Sequence, residues 1–269
     1  MLPVLQLGPL AVPVPALTLL LGVWGALWLA ERAAGRLGLN PEALSGLIGV
    51  ALIAGLPGAR LVFAVQHWSA YAADPLGLFS FTSAALAPLE GALIAVVAAA
   101  VYGARRRLPL RPTLDALAPA VALMAVALAL AHLASGDAFG APTGLPWRVF
   151  LWGEYRHPTQ IYELLAALAV LAVACLALRR AAFPGFVFLL VMALLAVARL
   201  ALEAFRGDSL VVLGGWRVAQ LWGLFVLAVC LALMRRWSLG SLPSASSPSP
   251  GNGLMDTTLP PGADPPPPL

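Results

Sequence analysis

Seven runs of apolar residues, each close to the ~20 that a helix needs to cross a bilayer, leave this chain few ways to fold. They cover roughly residues 14–30, 43–66, 84–103, 115–134, 161–178, 184–203 and 218–234. Ionisable residues make up only 10% of the chain and hydrophobic ones 61%, which argues against a single water-soluble core. Leu, Ala and Val fill the runs with no alternation of polar and apolar positions, so helices are favoured over a transmembrane barrel. The expected fold class is all-α: a polytopic membrane protein with seven transmembrane helices over residues 1–237. A disordered Pro/Ser/Gly-rich cytoplasmic tail, 238–269, is expected to follow. No Arg or Lys precedes the first run and no convincing small-residue cleavage site precedes Glu31-Arg32, so it is read as a retained helix.

All sixteen basic residues are arginine, and their positions carry topology. Arg32 and Arg36 follow the first run, Arg105, Arg106, Arg107 and Arg111 the third, Arg179 and Arg180 the fifth, Arg235 and Arg236 the seventh. Every second loop is thereby marked cytoplasmic, which predicts an N-out, C-in chain. The same excess explains the net charge of +4 without a nucleic-acid partner.

The opposite loops hold most of the chemistry. Arg156-His157-Pro158-Thr159-Gln160-Ile161-Tyr162-Glu163 stands at the mouth of the fifth run. Pro158 suits the first helical position, and Gln160 and Glu163 then lie one turn apart on one face. In the sixth run, Arg199, Glu203 and Arg206 fall on one stripe, with Asp208 just beyond. Two guanidiniums and a carboxylate suit a phosphate or carboxylate headgroup, because a guanidinium forks onto two oxygens and the acid holds it in place. An ion-pair ladder that only knits helices together is the competing reading. Arg60, near Gln66, His67 and Trp68, adds a further cation. Glu90 opens the third run, where capping a helix N-terminus competes with service as a base. His132, alone among Ala and Leu, reads as a packing or interfacial residue. Arg148 and Arg217 read as interfacial anchors paired with local acids. Cys175 and Cys230 read as buried small residues without a disulfide. No metal cluster, nucleotide fingerprint or internal repeat is evident, and no cofactor is expected.

These stretches resemble the prolipoprotein diacylglyceryl transferase family of bacterial inner-membrane enzymes. Residues 156–163 are similar to the family's Arg-His-Pro-(Ser/Thr)-Gln-Leu-Tyr-Glu signature, and Arg199 through Arg206 to its Arg-x-x-x-Glu-Phe-x-Arg pattern. Weaker echoes are Gly58-Ala59-Arg60-Leu61, Gly136-Asp137-Ala138-Phe139-Gly140 with Leu145-Pro146-Trp147, and Gln220. The resemblance spans about residues 13–237 and implies a seven-helix, N-out protein in the cytoplasmic membrane. It also implies transfer of a diacylglyceryl group from phosphatidylglycerol to the lipobox cysteine thiol of an exported prolipoprotein, releasing glycerol phosphate. Glu90, Arg199, Glu203 and Arg206 are then the expected catalytic residues. Arg60, Asp137, Arg156, His157, Gln160, Tyr162 and Glu163 are the expected substrate contacts.

The chain also departs from the family. Glu90-Gly91-Ala92 stands where the family shows His-Gly-Gly. Leu128 through Asp137 replaces Gly-Arg-x-Gly-Asn-Phe-x-Asn-Gly-Glu, which puts Ala129 at the arginine and His132 at the first asparagine. The base that generates the thiolate is then Glu90, His132 or His157. A catalytically divergent paralogue that binds lipid or signal peptide is the alternative function. A small-solute transporter fits poorly, because the polar groups cluster at one membrane side and a conduction path should continue across.

Overall fold

The computed structural model describes residues 4–7, 10–73, 86–209 and 217–240. A short hairpin, β1 (Val4–Leu7) and β2 (Leu10–Pro13), leads into α1 (Val14–Arg36), followed by α2 (Pro41–Gln66) and a six-residue α3 (Trp68–Ala73). Then come α4 (Pro88–Arg105), α5 (Leu110–Ser135), a hairpin of β3 (Val149–Leu151) and β4 (Glu154–Arg156), α6 (Thr159–Ala177), α7 (Phe186–Glu203) and α8 (Val218–Leu239). Among the described residues, all the helices but α3, seven in total, are long and apolar enough to span a membrane. The protein is an α-helical, multi-pass membrane protein.

Each of the seven expected runs is a helix, but several extend further. α1 runs on to Arg36 and α8 to Leu239, so Arg32, Arg36, Arg235 and Arg236 lie on the final turns of helices rather than in loops. Arginine there complements the negative helix terminus and can carry its charge to the interface on a long apolar stem. The expected tail beyond residue 240 lies outside the described residues.

Small residues set the packing. Ala26, Ala30, Ala33 and Ala34 of α1 share a buried cluster with Ala116, Ala118, Ala120 and Ala122 of α5, and α1 and α5 are closely packed along their length. In lipid, close backbone approach replaces the hydrophobic drive between helices. α2 and α4 use the same device. A side chain at Gly91 would meet Ala59 and come within 2.9 Å of the Gly55 carbonyl oxygen.

A buried carboxylate fixes α7. Asp115 on α5, 2% exposed, accepts from the Gly185 N–H at 2.6 Å and the Phe188 N–H at 3.0 Å. It thereby caps the first turn of α7 from a neighbouring helix, a task that no side chain of α7's own N-cap performs.

At the opposite end, α5 stops at Gly136, whose left-handed φ of 83° suits glycine. The chain then pairs with both neighbours. Ala141 N–H donates to Phe205 O at 2.8 Å, Gly207 N–H to Phe139 O at 2.9 Å, and His157 N–H to Ala141 O at 3.0 Å. Residues 139–141 thus bridge the end of α7 to the start of α6. A side chain at Gly140 would collide with His157, so this close approach requires glycine. The β3–β4 hairpin turns through Trp152 (φ 54°) and Gly153 (φ 82°), two positive values of the kind a type I′ turn uses. Trp152 is an unusual residue there, and its indole donates to Gly136 O at 3.1 Å.

Candidate active site

The ends of α5, α6 and α7 converge on Glu163. One carboxylate oxygen, Oε2, lies 3.0 Å from His132 Nδ1 on α5. The other, Oε1, accepts from Arg206 at 2.7 Å and lies 3.6 Å from Arg199. One acid on the first turns of α6 therefore joins a histidine and two guanidiniums from two other segments.

The two arginines are held differently. Arg206, 9% exposed, forks onto both oxygens of Asp208 at 3.0 and 2.8 Å while also reaching Glu163. Burial opposes its charge, but the hydrogen bonds to Asp208 and the charges of Asp208, Glu163 and Glu203 outweigh that, raising its pKa above the ordinary guanidinium value. Arg206 is therefore a fixed cation. It lies beyond the end of α7, in an antiparallel bridge to Gly140, rather than on the helical stripe expected from its spacing. Arg199, with 41% of its side chain exposed, reaches Glu203 at 3.2 Å and keeps a face open.

Glu203 is 1% exposed. Its Oε2 lies within ion-pair distance of Arg199 and, at 4.0 Å, of Arg206, but makes no directed hydrogen bond among the described residues. Arg217, read as an anchor on an acid, instead donates to the backbone carbonyls of Glu203 and Arg206, the latter at 3.0 Å. It closes the carbonyl end of α7 and ties the start of α8 to it. Arg148 likewise finds no acid among the described residues: it donates to Gly144 O at 3.2 Å and lies 4.4 Å over the Tyr155 ring.

Beside this network is a cleft of about 160 Å³ between α5, α6 and α7. Its polar end is His132, Glu163 and Arg199; its walls include Leu128, Ala129, Ala167 and Leu195. A second groove, of about 390 Å³, lies between α7 and α8 along Met192, Leu195, Trp222 and Val226, and also reaches Arg199. Arg199 stands between two apolar grooves. Charge at the head and hydrocarbon along the walls is the shape of an amphiphile.

The signature before α6 works largely as scaffold. Gln160 is buried and donates to Asp137 O at 3.0 Å, and Thr159 donates to Ala138 O at 2.6 Å. Together they pin the turn after α5, where Ala138 is held at φ 57°. Asp137 is exposed at that turn. Arg156 donates to Leu151 O at 3.2 Å, Gly140 O at 3.3 Å and Glu154 at 2.7 Å, and lies over Phe139. His157 packs against Phe205 with ring centres 5.2 Å apart, and its buried Nδ1 has no hydrogen-bond partner among the described residues. Tyr162 accepts from the Trp147 indole at 2.7 Å.

Two expected residues lie elsewhere. Arg60 sits against the Tyr71 ring, and Glu90 accepts from Gln66 at 3.0 Å; both belong to the α2–α4 pair. Neither lines the cleft beside Glu163. His132, read from the sequence as a packing or interfacial residue and as one of three candidate bases, does. Its spacing from Glu163 offers no motif, and only the fold brings the two together.

A sequence model of prolipoprotein diacylglyceryl transferases matches residues 3–236. The chain is also similar to phosphatidylglycerol–prolipoprotein diacylglyceryl transferases. That of Nostoc sp. is 30% identical over 244 residues, spanning 84% of this chain and 86% of the relative. That of Synechococcus elongatus is 29% identical over 240 residues (83% and 82%). That of Corynebacterium glutamicum is 29% identical over 236 residues (79% and 75%).

Proposed function

Because the chain belongs to the prolipoprotein diacylglyceryl transferase family, we propose that it moves a diacylglyceryl group from phosphatidylglycerol to the lipobox cysteine of an exported prolipoprotein. The reaction takes place at the outer face of the bacterial cytoplasmic membrane. One observation carries this reading: Glu163 joins His132 to Arg199 and Arg206 at the head of an apolar cleft.

The chemistry assigns each group a task. Nδ1 of His132 is engaged by Glu163, which leaves Nε2 to take the proton of the acceptor thiol. The carboxylate stabilises the imidazolium that forms. The thiolate attacks the glyceryl CH₂ next to the phosphate; a C–S bond forms and the C–O bond to phosphate breaks. The electron pair leaves with glycerol phosphate, and the proton held by His132 can follow it. Arg199, the exposed guanidinium, holds the phosphate oxygens and stabilises the charge that gathers on the leaving group. Arg206 and Glu203 position Arg199 and Glu163. The apolar walls accept the acyl chains.

This assigns the base to His132 rather than to Glu90, which faces Gln66. It also gives a use to the departures of this chain. Ala129, at the family's arginine position, lines the cleft one helical turn from His132.

The test is complementation of a strain depleted of its own transferase, with lipidation of a reporter lipoprotein as readout. Lipidation restored by the wild-type chain and lost with His132→Ala supports the proposal. Failure of a stably inserted wild-type chain, under conditions where the Nostoc relative restores lipidation, overturns it in favour of a lipid-binding paralogue.

A further inference from the structure

At the end of the bundle opposite the Glu163 site, α1 and α6 both pack on α5 far more than on each other. The seam between them opens as a recess of about 190 Å³ lined by Trp28, Arg32 and Arg36 of α1, Pro119 of α5, and Cys175 and Arg179 from the end of α6. Three guanidiniums from two distant segments thus line one small space. Among the described residues, none of the three has a carboxylate within ion-pair distance. The nearby Glu31 accepts from Ser45 instead, and Arg32 lies 4.2 Å from the Trp28 ring centre. The positive-inside rule accounts for arginines at this end, but it does not ask them to converge.

We propose that this recess binds the phosphate headgroup of an anionic phospholipid in the leaflet opposite the Glu163 cleft. Like charges gathered beside the buried Pro119 repel, and a phosphate that accepts from all three relieves that repulsion. Basic recesses between transmembrane helices at the cytoplasmic side suit such headgroups. A lipid is favoured over a soluble phosphate by what lies beneath: Leu20, Leu21 and Trp24 continue the outer face of α1 and are 66%, 55% and 74% exposed, an apolar track for acyl chains. The site is separate from the reaction cleft, since Pro119 lies about 20 Å along α5 from His132. The inference does not rest on the transferase reading.

Native mass spectrometry of the full chain, released from phosphatidylcholine nanodiscs containing increasing phosphatidylglycerol, tests it. The triple variant Arg32→Gln/Arg36→Gln/Arg179→Gln should hold one anionic lipid fewer, or hold it about tenfold or more weakly. Arg105→Gln/Arg106→Gln/Arg107→Gln, which removes the same charge at the same membrane face, should match the wild type. Arg179→Gln alone, placed after the end of α6, should weaken binding several-fold and serves if the triple variant does not insert. Unchanged retention in the recess variants overturns the proposal, as does equal loss in the control, which would reduce the effect to general surface charge. Displacement of the lipid by millimolar inorganic phosphate would overturn the choice of a lipid as occupant.

Discussion

Glu163 has one carboxylate and three cationic or protonatable neighbours. Glu163→Gln puts an amide N–H where either His132 or Arg206 needs an acceptor. It should lower transfer more than it lowers lipid binding, measured as turnover against phosphatidylglycerol affinity. His132→Ala should reduce turnover by about 10²–10⁴-fold, the usual contribution of a positioned base, and added imidazole should restore part of it. A purely structural histidine would show no such rescue. Arg199→Ala should weaken anionic lipid binding by roughly tenfold or more, as expected for the loss of one charge-assisted contact, while Cys230→Ala, buried on α8, should leave it unchanged. At this scale the sequence was half legible. Arg199, Glu203, Gln160 and Glu163 stand out because charge inside an apolar run demands a reason. The pairing of His132 with Glu163 was hidden, since 31 positions separate them and nothing in the run of Ala and Leu marks the histidine's partner. The carbonyl partners of Arg156 at Leu151 and Gly140 were equally hidden, because sequence marks only its neighbouring acid, Glu154, and gives no sign of backbone acceptors.

Among the elements, α7 is the one whose placement the site most depends on, as it carries Arg199 and Glu203 and leads into Arg206. Asp115 holds its first turn. Asp115→Ala leaves the Gly185 and Phe188 N–H groups without their acceptor in a buried place, at a cost of about 1.5–3 kcal/mol. The melting temperature of the purified protein should fall, and Asp115→Asn, which keeps one acceptor oxygen, should fall less. The existence of all seven spans was plain from run length and composition. Their ends were less so, because arginines on a last turn look like loop residues until the helix is seen to continue beneath them. The β3–β4 hairpin was not anticipated. Its two-residue turn is Trp152-Gly153, where Asn-Gly or Asp-Gly would have signalled one, and its register depends on backbone pairing with residues 142–143.

The whole molecule is polarised. The turns bearing Arg105 to Arg111, Arg179 and Arg180 lie at one end, and the Glu163 network at the other. Reporter fusions at residues 107, 180 and 237 should all report the cytoplasm and a fusion in the 143–148 segment the outside; an outside signal at any two of the first three would reverse the topology. That polarity would place the reaction in the leaflet where an exported precursor arrives. The central claim is that this chain joins a thiol to the glyceryl carbon of phosphatidylglycerol at Glu163 and its neighbours. Its most direct test is the mass of a lipobox peptide incubated with purified full chain in phosphatidylglycerol vesicles. The account predicts a gain of one diacylglyceryl group with matching release of glycerol phosphate, abolished by His132→Ala while lipid binding persists. An unmodified peptide in the presence of folded, lipid-binding wild-type protein would contradict it.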